Sequence, residues 1–293
     1  MKRRLAVAVV LLAVGMGCVS PTGVRGEAAI QILRVDSGRF IPEPGKPVFV
    51  LVMGHDARPG DSRSRGDGLH VIGINAEEHR ATILNIPRDT WTNIPGRGMD
   101  KINAANYHGG PQLQARAVSA LVGVDIPIVI STGFDGLADM VDELGGINVD
   151  VPFAMNDPIS GAVFPAGTVR MDGGAALAFA RNRSLSGGDF TRTHDQGILI
   201  LAGLSKLRDS APTAANTIKW MAVLARHTRF EGIGFGDLYR LGRLALTFDP
   251  DEVRNVTMPG TTGSAAGQSV VFVGGSAPAL FADFRDDAIL QRN

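Results

Sequence analysis

Arginine and aspartate fall in a few short clusters along this chain. Gly54-His55-Asp56-Ala57-Arg58 is followed by Ser64-Arg65-Gly66-Asp67, then by Ile86-Pro87-Arg88-Asp89-Thr90 and Lys101-Ile102-Asn103. Arg181-Asn182-Arg183, Asp189-Phe190-Thr191-Arg192 and Gln196 lie far downstream. A guanidinium group keeps its charge and grips phosphate through paired hydrogen bonds. A carboxylate is a hard oxygen ligand suited to Mg²⁺. Gathered in one cleft, these residues suit a diphosphate with a bound metal. The chain carries 29 Lys and Arg against 29 Asp and Glu. Such chemistry therefore belongs to a local site and not to a polyanion-binding surface. No lysine-rich or aromatic-interleaved patch for nucleic acid is present.

Spacing alone also fits plainer roles. Charged loops are common, and the upstream clusters suit an exposed, salt-bridged loop as well. Arg192 and Gln196 share a helix face, and Asp189 lies one turn before Arg192. That pattern equally describes a solvated helix start. There is no Gly-x-Ser-x-Gly elbow, no Walker loop and no His-Glu-x-x-His. The six histidines show no metal-ligand spacing and read as surface or core residues.

The elements that must position these clusters follow from periodicity. Met1-Lys2-Arg3-Arg4 and the apolar run Leu5 to Val19 form an export-type segment over residues 1–19, too short for a spanning helix of roughly 20 residues. The only cysteine, Cys18, ends it in the manner of a lipoprotein signal; an uncleaved anchor and simple secretion are the alternatives. All three put the rest of the chain outside the cytoplasmic membrane. Residues 20–46 are polar and rich in Gly and Pro, which suits a linker, and the globular part is expected from Pro47 to residue 293. Strands are expected at 48–53, 70–75, 81–86, 126–131, 147–151, 253–258 and 269–273. Helices are expected at 111–121, 134–144, from Asp172 to 181, and at 189–207, 212–226, 235–246 and 277–284. Residues 161–170 read as a hairpin or long loop. Strands interleaved with helices indicate an α/β (α+β) layered domain. Asp56, Asp67 and Arg88 then fall at strand ends, where such sheets commonly bind ligands.

Taken together, the clusters resemble the LytR-CpsA-Psr family of bacterial cell-wall enzymes. The resemblance also takes in Lys101-Ile102-Asn103-Ala104-Ala105, Gly109-Gly110, Val141-Asp142-Glu143-Leu144-Gly145-Gly146 and Ala176-Leu177-Ala178-Phe179-Ala180-Arg181-Asn182-Arg183. It implies a single layered α-β-α domain with a central mixed sheet on the outer face of the cytoplasmic membrane. It implies transfer of a phosphoglycan from a polyprenyl-pyrophosphate carrier to a peptidoglycan hydroxyl, releasing polyprenyl phosphate. By motif position, Asp56 and Asp67 match the family's Mg²⁺ (or Mn²⁺) ligands. Arg58, Arg65, Arg88, Arg181, Arg183 and Arg192 match its pyrophosphate-binding arginines, with Gln196 lining the site.

Such chemistry rests on positioning and charge neutralisation. Asp89, Asp189, Arg183 and Arg192 are the expected catalytic groups, with Asp89 or Asp189 as the base. Leu113, Ala117, Leu121, Phe134, Leu137, Val141, Leu199 and Leu204 lie on apolar helix faces that would form the core in any case, and the family's lipid tunnel is expected where small residues such as Ala117 and Ala138 leave space. Two positions depart from the family pattern. Asp195 stands where relatives usually carry arginine, which removes a positive charge. Gly66 stands where serine is frequent, which is expected to loosen the loop. A polyprenyl-pyrophosphate phosphatase and a non-catalytic lipid-pyrophosphate-binding regulator are the rival readings of the same pocket.

Overall fold

Six successive apolar residues, Val48 to Met53, must bury both faces of the strand they form. In the computed structural model, which describes residues 30–35, 45–56, 63–182, 184, 186–210, 228–245 and 248–291, they do so at the centre of a mixed sheet. The strands of this sheet are β1 (Ile30–Arg34), β2 (Val48–His55), β3 (Gly66–Asn75), β4 (Arg80–Asn85), β7 (Ile128–Gly133), β12 (Thr228–Glu231) and β13 (Arg254–Thr257). Their order is β12-β1-β7-β2-β3-β4-β13.

Side chains alternate across the sheet. Phe49, Leu51 and Met53 pack with Leu69, Val71 and Leu84 against helices α1 (Ala104–Val122) and α6 (Ala277–Asp287). Val48 and Val50 face the other way, towards Ile128 and towards Leu241 and Leu244 of α5 (Phe235–Ala245). Ile74, Ile83 and Phe248 extend that second face under Leu201 and Leu204 of α4 (Asp189–Ser210). The expected α-β-α layering with a central mixed sheet is what forms. Beside it, α2 (Phe134–Glu143), α3 (Gly173–Arg181) and α4 enclose a separate apolar cluster that includes Val141, Val149, Phe179, Leu199 and Ala202.

Local signals in the sequence set several boundaries. Asp172 Oδ1 accepts from Ala175 N at 2.8 Å and starts α3. Gly145 and Gly146, at φ 72° and 85°, end α2 in the left-handed region that glycine tolerates.

Four expectations differ from the structure. Residues 30–34, read as linker, are β1, flanked by parallel β12 and antiparallel β7. Five residues are too few for a periodic signal, and the partners lie far along the chain. Residues 161–170 do not pair with themselves. β10 (Ala162–Phe164) pairs with β9 (Met155–Asp157), and β11 (Gly167–Met171) pairs with β8 (Ile147–Val151). The helix expected from Pro111 begins at Ala104 and kinks at Gly109, Gly110 and Pro111. The hairpin of β5 (Trp91–Ile94) and β6 (Gly98–Lys101), with a second one of β14 (Gly260–Ala265) and β15 (Gln268–Val273), completes the strands. Of these four strands only residues 269–273 were expected as strand. The helix expected at 212–226 lies outside the described residues.

Candidate active site

Strand direction decides what meets. β2 runs parallel to β7, β3 runs antiparallel to both β2 and β4, and β13 runs parallel to β4. The C-terminal ends of β2, β4, β7 and β13 therefore share one sheet edge with the N-terminal end of β3. Gly54 pairs with Gly68 and His55 with Gly66, so Asp56 and Asp67 sit at the same end of adjacent strands. After β4, the turn at Pro87 is closed by Thr90, whose N and Oγ1 donate to Pro87 O at 3.0 and 2.6 Å. That turn aims Arg88 back across the edge.

Arg88 Nη1 pairs with Asp67 Oδ1, and Arg88 Nε lies 3.8 Å from Asp189 Oδ1 at the start of α4. Arg192 pairs with the same Asp189 oxygen. The result is an alternating row, Asp67–Arg88–Asp189–Arg192, built from three distant segments. All four side chains are largely sheltered, with Arg192 the most so at 8% exposure. Partial burial strengthens each Coulomb interaction relative to water. Two atoms of the row remain unused: buried Arg88 Nε, a donor, and Asp189 Oδ2, an acceptor, make no hydrogen bond.

Lys101-Ile102-Asn103 acts as a spacer between the two upstream loops. Ile102 N donates to Thr90 O at 2.8 Å, Asn103 N to Arg88 O at 3.2 Å, and Gly66 N to Asn103 O at 3.3 Å. Lys101 Nζ holds Asp89 Oδ1 at 3.2 Å. Gln114 Nε2 donates to Ile102 O at 3.0 Å, its Oε1 accepts from Asn106 N at 3.1 Å, and Asn106 Nδ2 donates to Ser64 O at 2.9 Å. Gly66 is not loosely held. A Cβ there would stand 3.1 Å from Gln114 Oε1 and 3.2 Å from both Leu69 and Met53, so glycine permits a tight approach.

The downstream half joins through α4. Gln196 Nε2 donates to Ala180 O at 3.1 Å, which ties α4 to the end of α3. Arg181 is exposed at that end; Asp56 and Arg65 are exposed at the sheet edge. Arg58 and Arg183 lie outside the described residues. Among the predicted residues, then, Asp67, Arg88, Asp189 and Arg192 are in direct ion contact, with Gln196 bonded to the neighbouring helix. Asp89 is turned towards Lys101 and away from the row. Of the apolar helix residues expected in the core, those whose side chains are described are there, in three clusters. Leu113, Ala117 and Leu121 pack on one face of the sheet, Leu137, Val141 and Leu199 in the lateral cluster, and Leu204 on the opposite face.

Asp195 is 1% exposed, and neither of its carboxylate oxygens has a hydrogen-bond partner. Burial pushes its carboxyl up to about 7 from 3.8. On α4 it falls on the side that leads to Leu199 and Ala202 of the lateral apolar cluster. It takes no part in the ion pairs of the Asp67–Arg192 row.

No group of three or more His, Cys, Asp or Glu able to hold a metal occurs among the described residues. Mg²⁺ needs only one or two protein carboxylates when substrate phosphates complete its shell. Asp56 and Asp67, side by side at the sheet edge, fit that donor set.

Sequence reasoning passed over a buried polar chain beneath this edge. His70, 3% exposed, shares a hydrogen bond of 2.7 Å between its Nδ1 and Asn85 Oδ1. Asn85 Nδ2 donates to Asn255 Oδ1 at 2.6 Å and to Val256 O at 3.2 Å, and Asn255 Nδ2 donates to His194 O of α4 at 3.0 Å. No motif marks these residues. It also passed over an open depression of about 580 Å³ beside Asp189, lined by Gly187, Gly188, Phe190, Gly260, Thr261 and Thr262.

The sequence pattern of the LytR_cpsA_psr family matches residues 27–280. The chain belongs to this family. Like other LytR-CpsA-Psr proteins, it is similar in sequence to the Corynebacterium glutamicum protein called probable cell wall biosynthesis protein LcpB. The two are 34% identical over 210 residues, 67% of this chain and 50% of that protein. It is 34% identical to a Bacillus licheniformis protein, polyisoprenyl-teichoic acid–peptidoglycan teichoic acid transferase TagU, over 59% of each chain. The chain thus spans about half to three-fifths of the length of these relatives. Its fold matches Bacillus subtilis TagV with a TM-score of 0.72 at 23% identity, covering 85% of this chain and all of that one. It also matches TagT with bound octaprenyl pyrophosphate lipid, with a TM-score of 0.64 at 23% identity over 91% of this chain and 98% of that one. Both likenesses are of fold.

Proposed function

We propose that this LytR-CpsA-Psr protein is an extracytoplasmic phosphotransferase. It takes a phosphoglycan from a polyprenyl-pyrophosphate carrier and joins it to a peptidoglycan hydroxyl. The observation that carries this reading is the Asp67–Arg88–Asp189–Arg192 row at one sheet edge, in which a buried guanidinium donor, Arg88 Nε, is ion-paired at 3.8 Å but makes no hydrogen bond. A buried donor without an acceptor suits an anion. The names of the relatives support the substrate class. TagU is a polyisoprenyl-teichoic acid–peptidoglycan teichoic acid transferase, and TagT binds octaprenyl pyrophosphate. The export-type segment at residues 1–19 fits a domain held at the outer face of the cytoplasmic membrane.

In this reading Arg88 and Arg192 hold the diphosphate oxygens, and exposed Arg65 and Arg181 reach it from the rim; Arg58 and Arg183 are assigned to it by motif position alone. Mg²⁺ held by Asp56 and Asp67 would neutralise charge on the diphosphate. The acceptor hydroxyl loses its proton to Asp189, whose Oδ2 has no partner while Oδ1 anchors two arginines. Asp89 is the weaker candidate because Lys101 occupies it. The hydroxyl oxygen bonds to the glycan-side phosphorus, and polyprenyl phosphate leaves as the arginines take up its developing charge.

The test is incubation with a polyprenyl-pyrophosphate-linked glycan and Mg²⁺, with and without peptidoglycan. Release of polyprenyl monophosphate with glycan recovered in the wall fraction, only when acceptor is present, is the expected result. Release without acceptor would make the protein a phosphatase. Bound lipid with no release in either case would make it a binding protein.

A further inference from the structure

The hydrogen-bond directions beneath the site leave two acceptors facing each other. Val256 O can only accept, so Asn85 must turn its amide nitrogen to it and its Oδ1 to His70. His70 Nδ1 therefore carries the hydrogen, and a neutral ring leaves Nε2 as a bare lone pair. Ala180 O likewise can only accept, so Gln196 directs its nitrogen there and its Oε1 elsewhere. That Oε1 and His70 Nε2 converge over Gly68: a Cβ on Gly68 would lie 3.0 Å from the first and 3.2 Å from the second. Gln196 Oε1 is buried and receives no hydrogen bond from neutral His70. Gln196 Oε1 therefore lacks a donor, and a protonated His70 Nε2 would supply one.

We propose that His70 is a positioning residue of the diphosphate site. When the diphosphate binds, His70 takes up a proton, and its Nε2–H donates to Gln196 Oε1. This fixes Gln196, and α4 with it, and sets a positive charge beneath the anion. The proposal rests on the diphosphate reading above. His70 lies three residues after Asp67, about 10 Å along β3. Several negative charges at that range favour an imidazolium in a sheltered site.

In the unliganded protein, burial holds His70 down at about 4, while the neighbouring Asn85 and Gln196 side chains favour the protonated ring. The ring is therefore neutral at neutral pH until an anion arrives. The charged and titratable groups at this end of the elements around it are Asp67 on its own strand, His55 and Asp56 at the end of β2, Arg88 after β4, and Asp189, Arg192, His194 and Asp195 on α4. None of them contributes to that lowered value. The chain Asn85–Asn255–His194 O holds the ring and α4 in fixed relation, so the proton is the free variable.

The experiment is calorimetric titration of the full chain with farnesyl pyrophosphate at pH 7, in two buffers of different ionisation enthalpy. To remove the other buried carboxyl from the count, it is done in Asp195→Asn protein. The expected result is uptake of about one proton per ligand, abolished in His70→Gln. The glutamine amide can donate to Gln196 without a proton, so His70→Gln should keep affinity within about threefold. His70→Leu should lose about tenfold or more, as for one charge-assisted hydrogen bond. A role limited to packing would lower affinity in both variants and leave the proton count of the parent at zero. Tight binding with no proton uptake overturns the role of His70 and leaves the diphosphate site standing. Absence of binding overturns both.

Discussion

Replacing Asp195 by Asn should stabilise the protein increasingly as pH rises from about 4 to about 7. Burial raises the folded-state value of this carboxyl from 3.8 to about 7. Between those values the folded state keeps a proton that the unfolded chain gives up. The stability this provides is full below 3.8 and is lost as pH rises to about 7. The span is 7 − 3.8, or about 3 pH units, at about 1.4 kcal/mol each. The carboxylate therefore costs about 4 kcal/mol at pH 8 relative to pH 4. Asn has nearly the same shape and does not titrate. It carries its own unsatisfied amide, so a fixed offset is allowed; the pH dependence of the difference is the decisive quantity. Urea midpoints of Asp195→Asn and the parent at pH 4.5, 6, 7 and 8 give that difference at constant m. The variant should gain progressively from pH 4.5 to about 7 and level off above it. Comparing the two proteins cancels His70, whose titration runs the opposite way. A difference that stays constant across the series would mean that Asp195 is solvated or paired in solution, and that its burial is wrongly described.

His70 is lowered from 6.5 to about 4, so the stability linked to its neutral form is present above 6.5 and is lost as pH falls to 4; the loss, about 3 kcal/mol, should be absent in His70→Gln when unfolding is followed by circular dichroism. On α4, a Cβ at Gly197 would stand 2.1 Å from Asn255 Oδ1, whereas one at Gly203 meets nothing within 4 Å. Gly197→Ala should destabilise by about 1–3 kcal/mol through overpacking, and Gly203→Ala should stabilise by up to about 1 kcal/mol through helix propensity; equal effects in chemical denaturation would contradict the packing of α4. Arg88→Lys keeps the charge but loses the planar grip, so turnover of lipid-linked substrate should fall about tenfold or more while the melting temperature changes little, and unchanged turnover would remove Arg88 from the site. Asp67→Ala should abolish most turnover and leave Arg88 with Asp189 as its partner in the row; full turnover at saturating substrate would refute the metal assignment.

The sequence by itself determined what is local. Asp172 caps a helix three residues ahead of Ala175, and two glycines stop α2, because these interactions close within a few residues. The apolar run from Val48 to Met53 required burial on both faces, which fixes a central strand. The arginine and aspartate clusters marked the chemistry by residue type alone. Tertiary structure decided which of them touch. Asp67 meets Arg88, and Arg88 approaches Asp189, only because β3 and β4 run antiparallel and α4 starts over their shared edge. The same clusters spaced identically in another topology would be surface ion pairs.

Nothing local marks Ile30–Arg34 as a strand, since its partners are Ile128–Thr132 and Thr228–Glu231. Nor does any pattern show that Asp195 is sealed from water while Arg181 on the adjoining helix is exposed. Burial of a polar side chain depends on what other segments cover it. His70 joins Asn85, and through it Asn255, for the same reason: hydrogen bonds between residues brought together by sheet order have no signature in the order of the chain.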